Sequence, residues 1–64
     1  MKGLDKKVIS VLQDDIKAPY EIAQLLRLKR RIQLEQLKNT INELYSNDKI
    51  DTLKVNGITK VYVK

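Results

Sequence analysis

Apolar residues recur along this chain with two periods, first helical and then strand-like. The longest helical stripe consists of Leu34, Leu37, Ile41 and Leu44. Their spacing of three and four residues places them on one side of an α-helix, whose other positions are polar and rich in side-chain amides. The pattern predicts an amphipathic helix over about residues 33–46. Asn47 follows it and is predicted to adopt the left-handed cap conformation.

Two shorter helices are predicted before this one. The first is predicted over about residues 4–14. Helical spacing is followed there, and just beyond, by Leu4, Val8, Val11, Leu12 and Ile16. Pro19 favours the start of the second helix, because its missing N–H costs nothing at the first helical position. The apolar stripe of the second helix is predicted to contain Ile22, Leu25 and Leu26.

The connection between the second and third helices contains no Gly, Pro, Asn, Asp or Ser that would mark a turn. One continuous helix over residues 19–45 is therefore an alternative. The stripe through Ile22 and Leu26 would continue at Lys29 and Arg30, however, and these are charged. This break in the hydrophobic phase predicts a turn over about residues 29–32.

Two strands are predicted after the third helix, over residues 50–55 and 58–63. Asn56-Gly57 lies between them and is the strongest short-range signal for a two-residue type I′ hairpin. The predicted pairs are Ile50 with Val63, Leu53 with Lys60, and Val55 with Ile58. The predicted inner face carries Ile50, Thr52, Val61 and Val63. The predicted outer face carries Leu53, Val55, Ile58, Lys60 and Tyr62.

This outer face is more apolar than an isolated hairpin requires. Three uses are open: a homodimer interface, a surface for a larger partner protein, or a platform on which Tyr62 stacks on unpaired bases. A β-bulge that shifts the register would remove the anomaly and is the fourth alternative.

Composition excludes several classes of chemistry. The 64 residues correspond to one domain, 1–64, with a small core. The sequence has no cysteine and no histidine, so the usual nucleophile and general-base pairs are absent, as are thiolate and imidazole metal ligands. We expect no enzymatic activity, no cofactor, no metal and no small-molecule substrate. Without a signal-peptide core or a membrane-spanning run, we expect a cytoplasmic protein, nucleoid-associated if it binds DNA.

The chain is basic, with a formal net charge of +5, which favours polyanionic partners. Its densest positive segment consists of Arg27, Lys29, Arg30 and Arg31. We call this segment the basic cluster. An ordinary solvated run of charges is the alternative interpretation.

Several residues together resemble the winged helix-turn-helix family of DNA-binding domains. They are Glu21-Ile22-Ala23 in the second helix, Leu37, Ile41 and Leu44 in the third, and Lys49-Ile50 before the hairpin. The resemblance covers nearly the whole chain and implies an α+β fold, mostly α, with three helices and a β-hairpin wing. About four extra residues, including part of the basic cluster, lengthen the helix-turn-helix connection, and its usual glycine is absent.

The resemblance implies that the outer face of the third helix contacts DNA in the major groove. The amides expected to pair with bases are Gln33, Gln36 and Asn39, with Asn42 further along. The residues expected to contact phosphates are the basic cluster, Lys38, and Lys54 and Lys60 on the hairpin. Solvated surface is the alternative for the amides as well.

Three functions are compatible with these features. The first is a small DNA-binding transcriptional regulator. The second is an accessory subunit of a replication or recombination complex, of mobile-element type, that binds single-stranded DNA and docks on a polymerase or helicase. The third is a protein–protein adaptor, which the positive charge disfavours.

Overall fold

The computed structural model describes residues 3–64, as three helices followed by a two-stranded antiparallel hairpin. The elements are α1 (Leu4–Leu12), α2 (Pro19–Leu25), α3 (Arg31–Ser46), β1 (Ile50–Val55) and β2 (Ile58–Val63). The α+β layout predicted from the sequence, mostly helical with a wing-like hairpin at the end, is confirmed. No helix in the described range is long and apolar enough to cross a membrane.

One apolar core joins all five elements. Its buried members are Leu4, Val8, Leu12, Ile22, Ala23, Leu37, Leu44, Ile50 and Val61. Val8, Ile22 and Ile50 have no exposed surface, so α1, α2 and β1 meet at the centre of this core. Val63 and Ile41 pack against its margin.

Helix α1 ends at Leu12, two residues earlier than predicted. Acidic side chains at its C-terminal end disfavour further turns, because the helix dipole is negative there. The carboxylate of Asp15 instead accepts a hydrogen bond from the N–H of Ile16 at 2.7 Å. Lys17 then pairs with Val61 through two backbone hydrogen bonds of 3.1 and 2.8 Å, which adds a bridging residue to the free edge of β2. Extended geometry before Pro19 is what the proline favours.

The connection after α2 begins earlier than the predicted turn over residues 29–32, since α2 ends at Leu25 and α3 already begins at Arg31. The N–H of Leu28 donates to the carbonyl of Ala23 at 2.9 Å, and the N–H of Arg27 donates to that of Gln24 at 3.2 Å. These two bonds define a Schellman motif, with Arg27 in the left-handed conformation at φ 57°. Glycine usually occupies that position, so the residue types of this segment did not indicate where the chain turns.

Helix α3 is rotated relative to the predicted stripe. The structure buries Leu37, Thr40 and Leu44, whereas Leu34 is 42% exposed. Leu34, a member of the predicted apolar stripe, therefore lies outside the core. On α2 the same is true of Leu25, which is 57% exposed.

A second Schellman motif ends α3. The N–H of Lys49 donates to the carbonyl of Leu44 at 2.9 Å, and the N–H of Asp48 donates to that of Tyr45 at 3.1 Å. The left-handed residue is Asp48, at φ 64°, while Asn47 has φ −88°. The prediction for Asn47 was wrong by one residue, because Asn47 is the C-cap and the left-handed residue of a Schellman motif is the one that follows it.

The hairpin register is as predicted. Ile50 pairs with Val63, Leu53 with Lys60, and Val55 with Ile58. Asn56 and Gly57 have φ of 54° and 81°, as a type I′ turn requires. Ile50 and Val61 are buried on the inner face, whereas Leu53 and Ile58 on the outer face are exposed. The regular pairing excludes the β-bulge alternative.

Candidate nucleic-acid interface

The basic cluster lies on the surface, at the connection between α2 and α3. All four of its cationic residues, Arg27, Lys29, Arg30 and Arg31, are exposed. Within residues 3–64 the sole ion pair joins Lys64 to Asp48, far along the chain from this cluster. The hydrogen bond to Asp48 raises the pKa of the Lys64 ammonium above its ordinary value. No residue of the basic cluster, by contrast, forms an ion pair with a carboxylate in the described part of the chain.

The cluster also leads into the N-terminal end of α3, which begins at Arg31 and where the helix dipole is positive. Arg30 occupies the N-cap position and has no side-chain acceptor, so no side chain caps the N–H groups of the first turn. The first turn contains no acidic residue either. Four exposed cations therefore lie within five consecutive residues, next to a helix end that has no side-chain cap, an arrangement that suits an oxyanion.

Gln33 has a local role that the sequence prediction did not foresee. Its side-chain oxygen accepts hydrogen bonds from the N–H of Lys29 at 3.2 Å and of Arg30 at 3.1 Å. Bidentate pairing with adenine requires both the oxygen and the nitrogen of the amide. Base contact by Gln33 would break these two bonds, so the structure assigns it to holding the start of α3.

The rotation of α3 also separates the remaining amides. Gln36 is half-buried on the flank of the helix, whereas Asn39 and Asn42 are exposed. At about 100° per residue, Asn42 and Glu35 lie opposite the buried stripe, and Lys38 and Asn39 flank them on the two sides of the outer face. The amides that can reach a partner without rearrangement are therefore Asn39 and Asn42, rather than the two glutamines.

Sequence reasoning missed an apolar groove between α2 and α3. It encloses about 280 Å³, and its apolar wall includes Tyr20, Ala23, Leu34 and Ile41, while Lys38 and Asn42 also line it. Tyr20 is 58% exposed. Hydrophobic periodicity did not indicate this groove, because it placed Leu34 in the same apolar stripe as the buried Leu37 and Leu44.

The two lysines of the wing lie on opposite faces of the hairpin. Lys54 is exposed and pairs across the sheet with Thr59, whereas Lys60 pairs with Leu53 on the outer face and is half-buried. Side chains of paired residues share a face, and successive residues alternate. Lys54 and Lys60 are therefore not brought together as one phosphate-binding surface.

The outer face of the wing carries the apolar residues that the sequence placed on it. Leu53 and Ile58 are 38% and 45% exposed, and Val55 and Tyr62 beside them are half-buried. The hydroxyl of Tyr62 donates to the carboxylate of Asp51 at 3.5 Å, a long and weak bond that holds the ring against the sheet only loosely.

Comparisons with known proteins do not assign the chain to a family. No family model, no characterised protein and no solved structure gave a significant match. What the site can do is therefore inferred from the charge and geometry described above.

Proposed function

We propose that this protein binds DNA as a winged helix-turn-helix domain, with the basic cluster on phosphates and the outer face of α3 in the major groove. The observation that supports this most strongly is the position of the cluster. Its four exposed cations lie in the connection that leads into the N-terminal end of α3, and none of them forms an ion pair with a described carboxylate.

This position carries a cost in the free protein. Each charge of the wrong sign near a helix end is unfavourable by roughly 0.3–1 kcal/mol at low salt. Mutual repulsion among the four cations adds to that cost. A bound phosphate would reverse the sign of both effects, because it supplies negative charge and acceptors for the uncapped N–H groups.

Within this proposal the cluster supplies affinity and salt dependence, and Asn39 and Asn42 supply base contacts. The function we favour is transcriptional regulation in the cytoplasm, at the nucleoid. Cytoplasmic location is part of the proposal, since DNA is its partner.

The proposal is tested by replacing charge at two places. Arg30→Glu with Arg31→Glu alters the cluster, and Lys6→Glu with Lys7→Glu alters exposed positions on α1. Each pair removes two positive charges and adds two negative ones, which lowers the formal net charge from +5 to +1. Binding of a labelled duplex is measured by fluorescence anisotropy at several salt concentrations.

We expect the cluster variant to lose affinity for every duplex, with a slope of log affinity against log salt reduced by about one unit per lost phosphate contact. Glutamates at the start of α3 should at the same time raise the free energy of unfolding. Lost binding could then not be ascribed to unfolding. Equal losses in both variants, or no duplex binding by the unaltered protein, would contradict the proposal.

A second function is favoured by a separate observation, the exposure of Leu53 and Ile58 on the outer face of the wing. An accessory subunit of a replication or recombination complex would use this face for a partner protein or for unpaired bases. Ile58→Ser should leave thermal unfolding nearly unchanged, because Ile58 is outside the core. Loss of single-strand affinity in this variant, with duplex affinity kept, would favour the accessory function over the regulator.

A further inference from the structure

Leu34 is an apolar residue placed where the proposed DNA interface would be. It is the fourth residue of α3, three residues after Arg31 of the basic cluster, and 42% of its surface is exposed. Tyr20, which is 58% exposed, lines the same groove from α2. The N-terminal half of a recognition helix is the part that approaches base edges.

The surroundings of this groove indicate what it can accept. Lys38 and Asn42 follow Leu34 at intervals of four residues and line the same groove, so an apolar position and two polar ones form a row along α3. No carboxylate of the described chain lines it. An apolar surface whose lining includes a lysine and an amide but no carboxylate is complementary to nucleic acid rather than to a basic peptide.

We infer that Leu34, supported by Tyr20, contacts the 5-methyl groups of thymines in the major groove of A·T-rich duplex DNA. This rests on the proposed function and specifies its target. Thymine is the one standard base that presents an apolar group in the major groove, and it is recognised there by apolar contact. Asn39 and Asn42 on the outer side of the same helix offer amides for the paired adenines.

The test removes the methyl group without altering the base pairing. One A·T-rich duplex is compared with the same duplex in which deoxyuridine replaces every thymidine. The unaltered protein should bind the thymine form more tightly, by roughly fourfold for each contacted methyl, the value of burying one methyl-sized group. Binding is measured by anisotropy at fixed salt.

Two leucine variants assign the effect to a residue. Leu34→Ala should bind the two duplexes equally and keep the salt dependence of the unaltered protein, since its phosphate contacts are intact. Leu25→Ala is the matched control, because Leu25 is also an exposed leucine, at 57%, and does not line the groove. It should keep the preference for thymine.

Equal affinity of the unaltered protein for the two duplexes, with normal salt dependence, would overturn this inference and leave the proposed function standing. A preference for thymine that persists in Leu34→Ala would also overturn it. Self-association lost in Leu34→Ala, measured by sedimentation with no thymine preference, would instead assign the groove to a second copy. Absence of any duplex binding would remove the proposed function together with the inference.

Discussion

Val61 is the residue through which the wing is held to the helices, and its truncation tests the hairpin register. Its side chain is 1% exposed in the core. Its backbone N–H and C=O both bond to Lys17, at 2.8 and 3.1 Å. Val61→Ala leaves these backbone bonds available, so the substitution removes side-chain packing alone.

The expected magnitude follows from the atoms removed. Two methyl groups correspond to about 1.6 kcal/mol of lost transfer free energy. Incomplete relaxation around the cavity raises the expected loss to about 2–3 kcal/mol. A domain of this size has a total stability of roughly 3–10 kcal/mol, so the loss is a large part of it. The melting temperature should fall by about 8–24 °C, at roughly 4–8 °C per kcal/mol.

Val55→Ala is the matched control, because it removes the same atoms from the outer face of the same hairpin. Val55 is half-buried and lies outside the core. We expect it to cost less than about 1 kcal/mol. Circular dichroism during thermal and urea unfolding measures both variants. Equal losses in the two, or a loss below about 0.5 kcal/mol in Val61→Ala, would refute the assignment of inner and outer faces.

Two further predictions concern the connection before α3 and its amides. Arg27→Gly should raise the free energy of unfolding by up to about 1 kcal/mol, since glycine adopts the left-handed conformation without strain. The same variant should weaken DNA binding. Lys29→Gly is the control and should not stabilise the domain, because φ is not positive at Lys29. Gln33→Ala should lower stability by about 1 kcal/mol through loss of its two backbone bonds. Asn39→Ala should instead leave stability unchanged and cost roughly 1–3 kcal/mol of binding at a preferred site. The reverse outcome for the two amides would contradict their assigned roles.

The hairpin could be predicted from the sequence because its information is local. Asn56 and Gly57 tolerate positive φ, and two residues between strands fix the register of every pair that follows. The helix boundaries could not be predicted equally well. The left-handed position after α2 is filled by Arg27, a residue type that does not mark turns.

The rotation of α3 depends on information that the sequence of one helix does not contain. Periodicity showed that α3 is amphipathic, but which edge of its stripe becomes buried depends on how α2 crosses it. The buried position turned out to be Thr40 rather than Leu34. With this rotation, two of the four amides predicted to contact bases, Gln33 and Gln36, lie toward the core side of the helix.

Three departures from local structural preference coincide in the short connection before α3. Arg27 is left-handed where glycine would be unstrained, Arg30 is an N-cap without an acceptor, and the cluster places its cations at the positive end of a dipole. The other left-handed positions, Asp48 and Asn56, are filled by residue types that tolerate that conformation. Ala18, the N-cap of α2, also has no side-chain acceptor, so the missing cap alone does not distinguish this connection. What distinguishes it is a left-handed arginine next to exposed cations, and local departures of this kind are typical of functional sites rather than of poor folding. If so, Arg30→Asp should supply the missing cap, stabilise the domain and weaken DNA binding in the same variant.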